Sequence, residues 1–168
     1  LERLVGFIYN GIRYFYQRNI QGGDITAIYN EDGNLVNKYV YDAYGRHKVL
    51  TSTLEEDLDE SSVGNLNPFR YRGYYYDRIL GLYFLTSRYY DPEIGRFISP
   101  DSLEYLNPEN VNGLNLYSYC NNDPVNYSDG SGHMPELVQD IVKVLGAVAI
   151  VVGITALIVA TAGTAAYV

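Results

Sequence analysis

The chain has 168 residues, a formal net charge of −8, 19 tyrosines and no tryptophan. That length holds one domain and an appendage, and the acidic balance argues against a nucleic-acid surface, which needs a basic stripe. The single cysteine, Cys120, excludes an internal disulfide framework. Residues 1–20 alternate loosely between apolar and polar, with β-rich runs on either side of Asn10-Gly11, a strong two-residue hairpin signal. Two turn sequences follow at a spacing of twelve, Tyr29-Asn30-Glu31-Asp32-Gly33 and Tyr41-Asp42-Ala43-Tyr44-Gly45. Between them Leu35, Asn37, Tyr39 and Tyr41 share one face of a strand, and Val36, Lys38 and Val40 share the other.

Residues 51–66 carry Glu55, Glu56, Asp57, Asp59 and Glu60 and no aromatic residue. A solvated, mobile loop is the expectation for such a run, and its spacing lacks the loop glycine of an EF-hand calcium site. The stretch 67–101 then holds two Tyr-Asp-x-x-x-Gly units, Tyr76-Asp77 to Gly81 and Tyr90-Asp91 to Gly95. Asp bonds its own backbone to start a turn and Gly supplies the positive φ that closes it, so three short antiparallel strands are predicted here. Arg88 falls in the predicted strand 82–90 on the face of Phe84 and Thr86, and an arginine on an apolar face wants a partner. The same turn chemistry thus occurs four times, which favours a repeat array over a plain pair of hairpins.

Residues 103–127 are rich in Asn, Pro and Gly and predict turns, with one strand or short helix over 114–120, where Cys120 is read as a small packed residue. Asp129-Gly130-Ser131-Gly132 is a loop with wide backbone freedom. From Met134 the character changes. Pro135 and Glu136 suit the first turn of a helix, and residues 144–168 contain no charged side chain. About 20 apolar residues cross a bilayer, and Ala149/Gly153 and Ala156/Ala160 have the small-xxx-small spacing of packed membrane helices. A membrane helix is predicted, with a buried helix or hairpin as the competing reading. The chain opens at Leu1 and stops inside this apolar run, as expected of a piece of something longer.

The wording YRGYYYDRILGLYFLTSRYYDPEIGRFISPD, continued through NLYSYCNNDPVNYSDGSGH, resembles the RHS repeat-associated core domain of bacterial RHS/YD-repeat proteins. The resemblance covers residues 22–133, and GDITAIYNEDGNLVNKYVYDAYGR looks like a YD repeat. It implies a mainly β fold in which YD-repeat hairpins (1–50), an acidic loop (51–66) and the core meander (67–133) form part of a hollow β-shell. The apolar helical segment (134–168) then leads toward a toxin domain. It further implies aspartyl-type self-cleavage, with the paired carboxylates falling on Asp101 and Asp129, an assisting Arg88, and a scissile bond between His133 and Met134. Paired carboxylates suit that work: one keeps its proton and donates it, while the other draws a proton from water. Two departures stand out. Asp101 is followed by Ser102-Leu103-Glu104, and Gly130 occupies the usual proline position.

His47 and His133, the only histidines, give neither a metal centre nor a Ser-His triad, and neither metal nor cofactor is expected. The implied partners are the rest of the shell, a toxin domain, an immunity protein, and a membrane through 144–168, in a secreted or surface protein. The alternative is a non-enzymatic, membrane-anchored surface scaffold for adhesion or cell contact, and a third is an inert remnant. Without shell neighbours, incomplete packing is expected at the N-terminal hairpins.

Overall fold

The structure is a computed structural model and describes residues 4–20, 23–105, 114–133 and 136–137. The first sheet is a five-stranded antiparallel meander of β1 (Gly6–Tyr9), β2 (Ile12–Arg18), β3 (Ile25–Asn30), β4 (Leu35–Tyr41) and β5 (His47–Thr51). Its first turn follows from Asn10 and Gly11, which take φ of +50° and +81° and bring Tyr9 opposite Ile12. The twelve-spaced turns share one device. Asn30 Oδ1 accepts from the N–H groups of Asp32 and Asn34, Asp42 Oδ1 accepts from those of Tyr44 and Arg46, and Gly33 and Gly45 close the turns at positive φ. Along β4, buried Asn37 and Tyr39 alternate with exposed Lys38 and Val40. Val36 departs from the expected outward face and packs on the core, beside a register shift at Ile28–Tyr29.

The second sheet has four strands rather than three: β6 (Tyr75–Asp77), β7 (Leu82–Leu85), β8 (Arg88–Asp91) and β9 (Arg96–Phe97). The predicted single strand over 82–90 reverses at Thr86–Ser87, with Leu85 opposite Arg88. Arg88 therefore lies on the buried face with Leu85 and Tyr90, and not beside Phe84. The cause is tertiary. Thr86 Oγ1 and Ser87 Oγ donate to the carbonyls of Gly130 and Ser131, which holds a turn that lacks glycine.

The acidic stretch exposes Glu55, Glu56, Asp59 and Glu60 to solvent and is tied to the rest of the fold at a few points. Leu50 bridges to Glu56, Asp57 accepts from Asn37 Nδ2 at 2.8 Å, and the stretch ends in the one-turn helix α1 (Val63–Leu66), capped by Ser62. Residues 114–119 form turns with a single bridge, Ser118 to Arg96, and a one-turn 3-10 helix, Cys120–Asn122, begins at the end of the predicted element. A short pair, β10 (Tyr127–Ser128) with β11 (Glu136–Leu137), follows. The helix start expected at Glu136 is thus overturned, because the backbone there pairs antiparallel with β10. The remainder of that predicted helix, residues 138–168, lies outside the described residues, among which no helix is long and apolar enough to cross a membrane.

Tyrosine does most of the packing. One cluster gathers Tyr71, Tyr83, Leu85, Tyr90, Phe97, Tyr119 and Cys120, and the other Tyr14, Ile25, Ile28, Tyr39 and Val49. Three hydroxyls of the first cluster fasten the two sheets together. Tyr71, Tyr90 and Tyr83 donate to the carbonyls of Ala43, Tyr44 and Gly45, successive residues of the Asp42 turn. Each such bond contributes about 1 kcal/mol net, beyond the ring burial. The expected incomplete packing appears on the first hairpin, where Val5, Ile8, Ile12 and Phe15 are exposed. There β1 is the edge strand of its sheet.

Candidate functional site

The tight turn between β7 and β8 and the Asp129–His133 loop clasp each other. Gly132 takes φ of +79°, and a Cβ on it would lie 2.6 Å from the Leu85 carbonyl oxygen and 2.4 Å from Ser87 Oγ. Only glycine fits both the backbone conformation and the space. This close approach brings Arg88, at the head of β8, under the loop.

Arg88 is 6 % exposed and its guanidinium is fully engaged. Nη2 pairs with Asp101 Oδ2 at 2.8 Å, Nη1 donates to the Leu116 carbonyl at 2.8 Å, and Nε donates to the Gly132 carbonyl. The group lies 3.7 Å from the centre of the Phe97 ring, a cation–π contact. Burial pulls the guanidinium pKa down against the opposing charges of Asp101 and Asp129, yet arginine stays protonated in proteins.

Asp101 enters from the chain after β9, held by its own N–H to the Leu116 carbonyl at 3.0 Å. Its side chain is 6 % exposed, and Oδ1 contacts His133 Nδ1 at 2.6 Å and the Ser102 N–H at 2.8 Å. With Arg88 on the other oxygen, the carboxylate is the acceptor, so His133 Nδ1 carries the hydrogen. Tyr105 stacks on that imidazole, with ring centres 4.6 Å apart and planes inclined by 13°.

Asp129 is 1 % exposed. Its Oδ1 accepts from the N–H groups of Gly132 at 2.7 Å and His133 at 3.1 Å and from Ser131 Oγ at 3.2 Å. Its carbonyl accepts from the Tyr74 hydroxyl. Burial pushes the carboxyl pKa up, against the pull of those donors and of Arg88. The two aspartates are thus unlike. Asp101 pairs directly with arginine, while Asp129 bonds backbone N–H groups and a hydroxyl, and burial raises its pKa.

The fold therefore brings Arg88, Asp101, Asp129 and His133 into one site, across 45 positions of sequence. Met134 lies outside the described residues. Sequence reasoning missed Tyr105, Gly132 and the Thr86–Ser87 turn. The close packing at Gly132 had a local signal in the glycine itself, whereas nothing local marks Tyr105 as a partner for His133. Cys120 is buried with its thiol pushed up to about 12 by burial, as suits a packed residue. His47 lies elsewhere, against Arg70 and Tyr83. Among the described residues no group of three or more His, Cys, Asp or Glu is arranged to hold a metal ion.

Comparison with known proteins places this geometry in context. The teneurin YD-shell profile matches residues 3–125. The tRNA3(Ser)-specific nuclease WapA of Bacillus spizizenii is 38 % identical over 136 residues, which is 81 % of this chain and 5 % of that protein. Salivary gland surface protein 1 of Aedes aegypti is 31 % identical over 147 residues, 86 % of this chain and 4 % of that protein. Among solved structures, the Photorhabdus luminescens Tc holotoxin pore superposes with a TM-score of 0.60 at 27 % identity, covering 77 % of this chain and 5 % of that one. The chain thus spans about one twentieth of the length of these relatives. With the profile spanning most of its residues, and two tyrosine-lined antiparallel meanders beneath it, the chain belongs to the teneurin YD-shell family, the family of RHS and YD-repeat shells.

Proposed function

We propose that this chain is the closing core of a secreted RHS/YD-repeat toxin and that it cuts its own chain between His133 and Met134. One observation carries the reading: immediately before that bond, Arg88 holds the Gly132 carbonyl, Asp101 the His133 ring, and Asp129 the N–H groups of both residues. Water adds to the His133 carbonyl carbon as Asp101, paired with Arg88, takes the water's proton. Asp101 Oδ2 has two lone pairs, with Arg88 on one of them. Asp129, whose burial favours the protonated carboxyl, gives its proton to the carbonyl oxygen. As the C–N bond breaks, Asp101 passes the proton it took to the Met134 nitrogen and Asp129 regains one from the gem-diol hydroxyl, leaving a carboxyl group on His133 and an amine on Met134. Arg88 holds the Gly132 carbonyl and so fixes the approach of the chain to both acids.

In this reading the two sheets form part of a shell wall that encloses a C-terminal toxin, in keeping with the nuclease named for the WapA relative and the toxin pore named for the structural neighbour. The chargeless segment 144–168 leads toward that toxin and contacts a membrane, and an immunity protein guards the producing cell. Intact-mass measurement on the full-length protein tests the cleavage. Two fragments meeting at His133–Met134 are expected in the parent, and one uncut chain in Asp101→Asn and Asp129→Asn. A parent that stays whole while folded overturns the proposal.

A second reading is a non-enzymatic surface scaffold in which Arg88 and Asp101 are a structural ion pair. It is favoured by the relative named as a surface protein and by the donors already seated on both carboxylates. The uncut parent is its signature.

A further inference from the structure

We propose that the His133 imidazole is the element by which the site recognises its own scissile segment, read by the Asp101 carboxylate and the Tyr105 ring; this rests on the self-cleavage reading above. Apart from the glycine that the close packing at 132 requires and the Ser131 hydroxyl on Asp129, the other contacts to the segment are to its backbone. Thr86, Ser87 and Arg88 hold the carbonyls of Gly130, Ser131 and Gly132, and Asp129 holds the N–H groups of Gly132 and His133. Any residue but proline at position 133 offers the same N–H. Among the described residues, the contacts that depend on the side chain at 133 are the 2.6 Å bond from Nδ1 to Asp101 Oδ1 and the near-parallel stack on Tyr105.

Position 133 is also where such reading matters. Its N–H is fixed by Asp129, so the direction of its carbonyl turns on its own backbone torsions. Pinning the ring at two points sets the Cα–Cβ direction and so limits the torsions open to the His133 backbone. A misplacement of about 1 Å in a reacting group lowers a rate on the order of a hundredfold. The ring occupies Asp101 Oδ1, while Oδ2 is the oxygen assigned to the water, so recognition and proton transfer use different atoms of one carboxylate. His133 is therefore a positioning residue of the reaction, and Tyr105 its support.

The test follows the appearance of the fragments over time in the full-length protein. His133→Ala is expected to slow cleavage by about tenfold or more. His133→Asn, whose side-chain amide carries an N–H donor near the Nδ1 position, restores most of the rate. Tyr105→Ala slows the reaction, and Tyr105→Phe, which keeps the ring, does not. A merely structural role for His133 gives no rescue by Asn. Cleavage of His133→Ala at the parental rate and at the same bond overturns this inference and leaves self-cleavage standing. A parent that is never cut overturns both.

Discussion

Replacing Arg88 by Met tests the physical basis of the site directly. The substitution keeps an unbranched stem over Phe97 but removes the charge that faces Asp101, whose side chain is 6 % exposed. A buried ion pair broken from one side leaves its partner charge stranded, at about 3–5 kcal/mol. The carbonyls of Leu116 and Gly132 also lose their donor, and each buried acceptor left unpaired adds about 1 kcal/mol or more. A loss of about 5 kcal/mol is therefore expected, a large part of the roughly 5–15 kcal/mol that holds a domain folded. Urea unfolding at neutral pH, followed by circular dichroism, measures it. The double variant Arg88→Met, Asp101→Leu removes the stranded charge and is expected to recover at least half of the loss, because neighbours in one network do not add. If Arg88→Met lowered stability by less than about 1 kcal/mol, the pair would not be a desolvated one, and the charged-base role given to Asp101 would fall with it.

Three further outcomes are expected. Gly132→Ala forces a side chain toward the Leu85 carbonyl at φ of +79°, so it should destabilise the fold by about 2 kcal/mol or more and abolish cleavage, read by urea unfolding and intact mass. Tyr90→Phe removes the hydroxyl that donates to the Tyr44 carbonyl at 2.7 Å and should cost about 1–2 kcal/mol, with unchanged circular dichroism at low denaturant. His47 has its pKa lowered to about 4 by burial and by Arg70 beside it. A depressed pKa means that its contribution is present above the ordinary value of about 6.5 and is lost as pH falls through about 4. That loss is on the order of 3 kcal/mol, and His47→Gln should flatten the pH dependence of stability across this window.

Much of the architecture was legible because its signals are local. Asn10-Gly11, Gly33, Gly45, Gly81 and Gly95 announce their turns by residue type, and all take positive φ. The Asx side chains at 30, 42, 77 and 91 bond backbone N–H groups two to four residues onward. The alternation along β4 likewise belongs to the strand itself. For the site, the residues Arg88, Asp101, Asp129 and His133 came from the resemblance, and none has a local pattern that distinguishes it from a turn aspartate or a paired arginine.

The amino-acid sequence by itself determined where the chain turns wherever Asn, Asp or Gly does the turning, since that chemistry is complete within four or five residues. Only the tertiary structure decided the reversal at Thr86–Ser87. A β-branched residue at φ of +59° is unfavourable in isolation, and it is held there by the loop 44 residues downstream, through Thr86 to Gly130 and Ser87 to Ser131. That one turn moves Arg88 from the outer face to the core, beneath Gly132 and against Asp101. The glycine at 132 admits the approach because it has no Cβ. A contact between two segments that each lack a preference of their own is invisible until they meet, and the candidate site is made of such contacts.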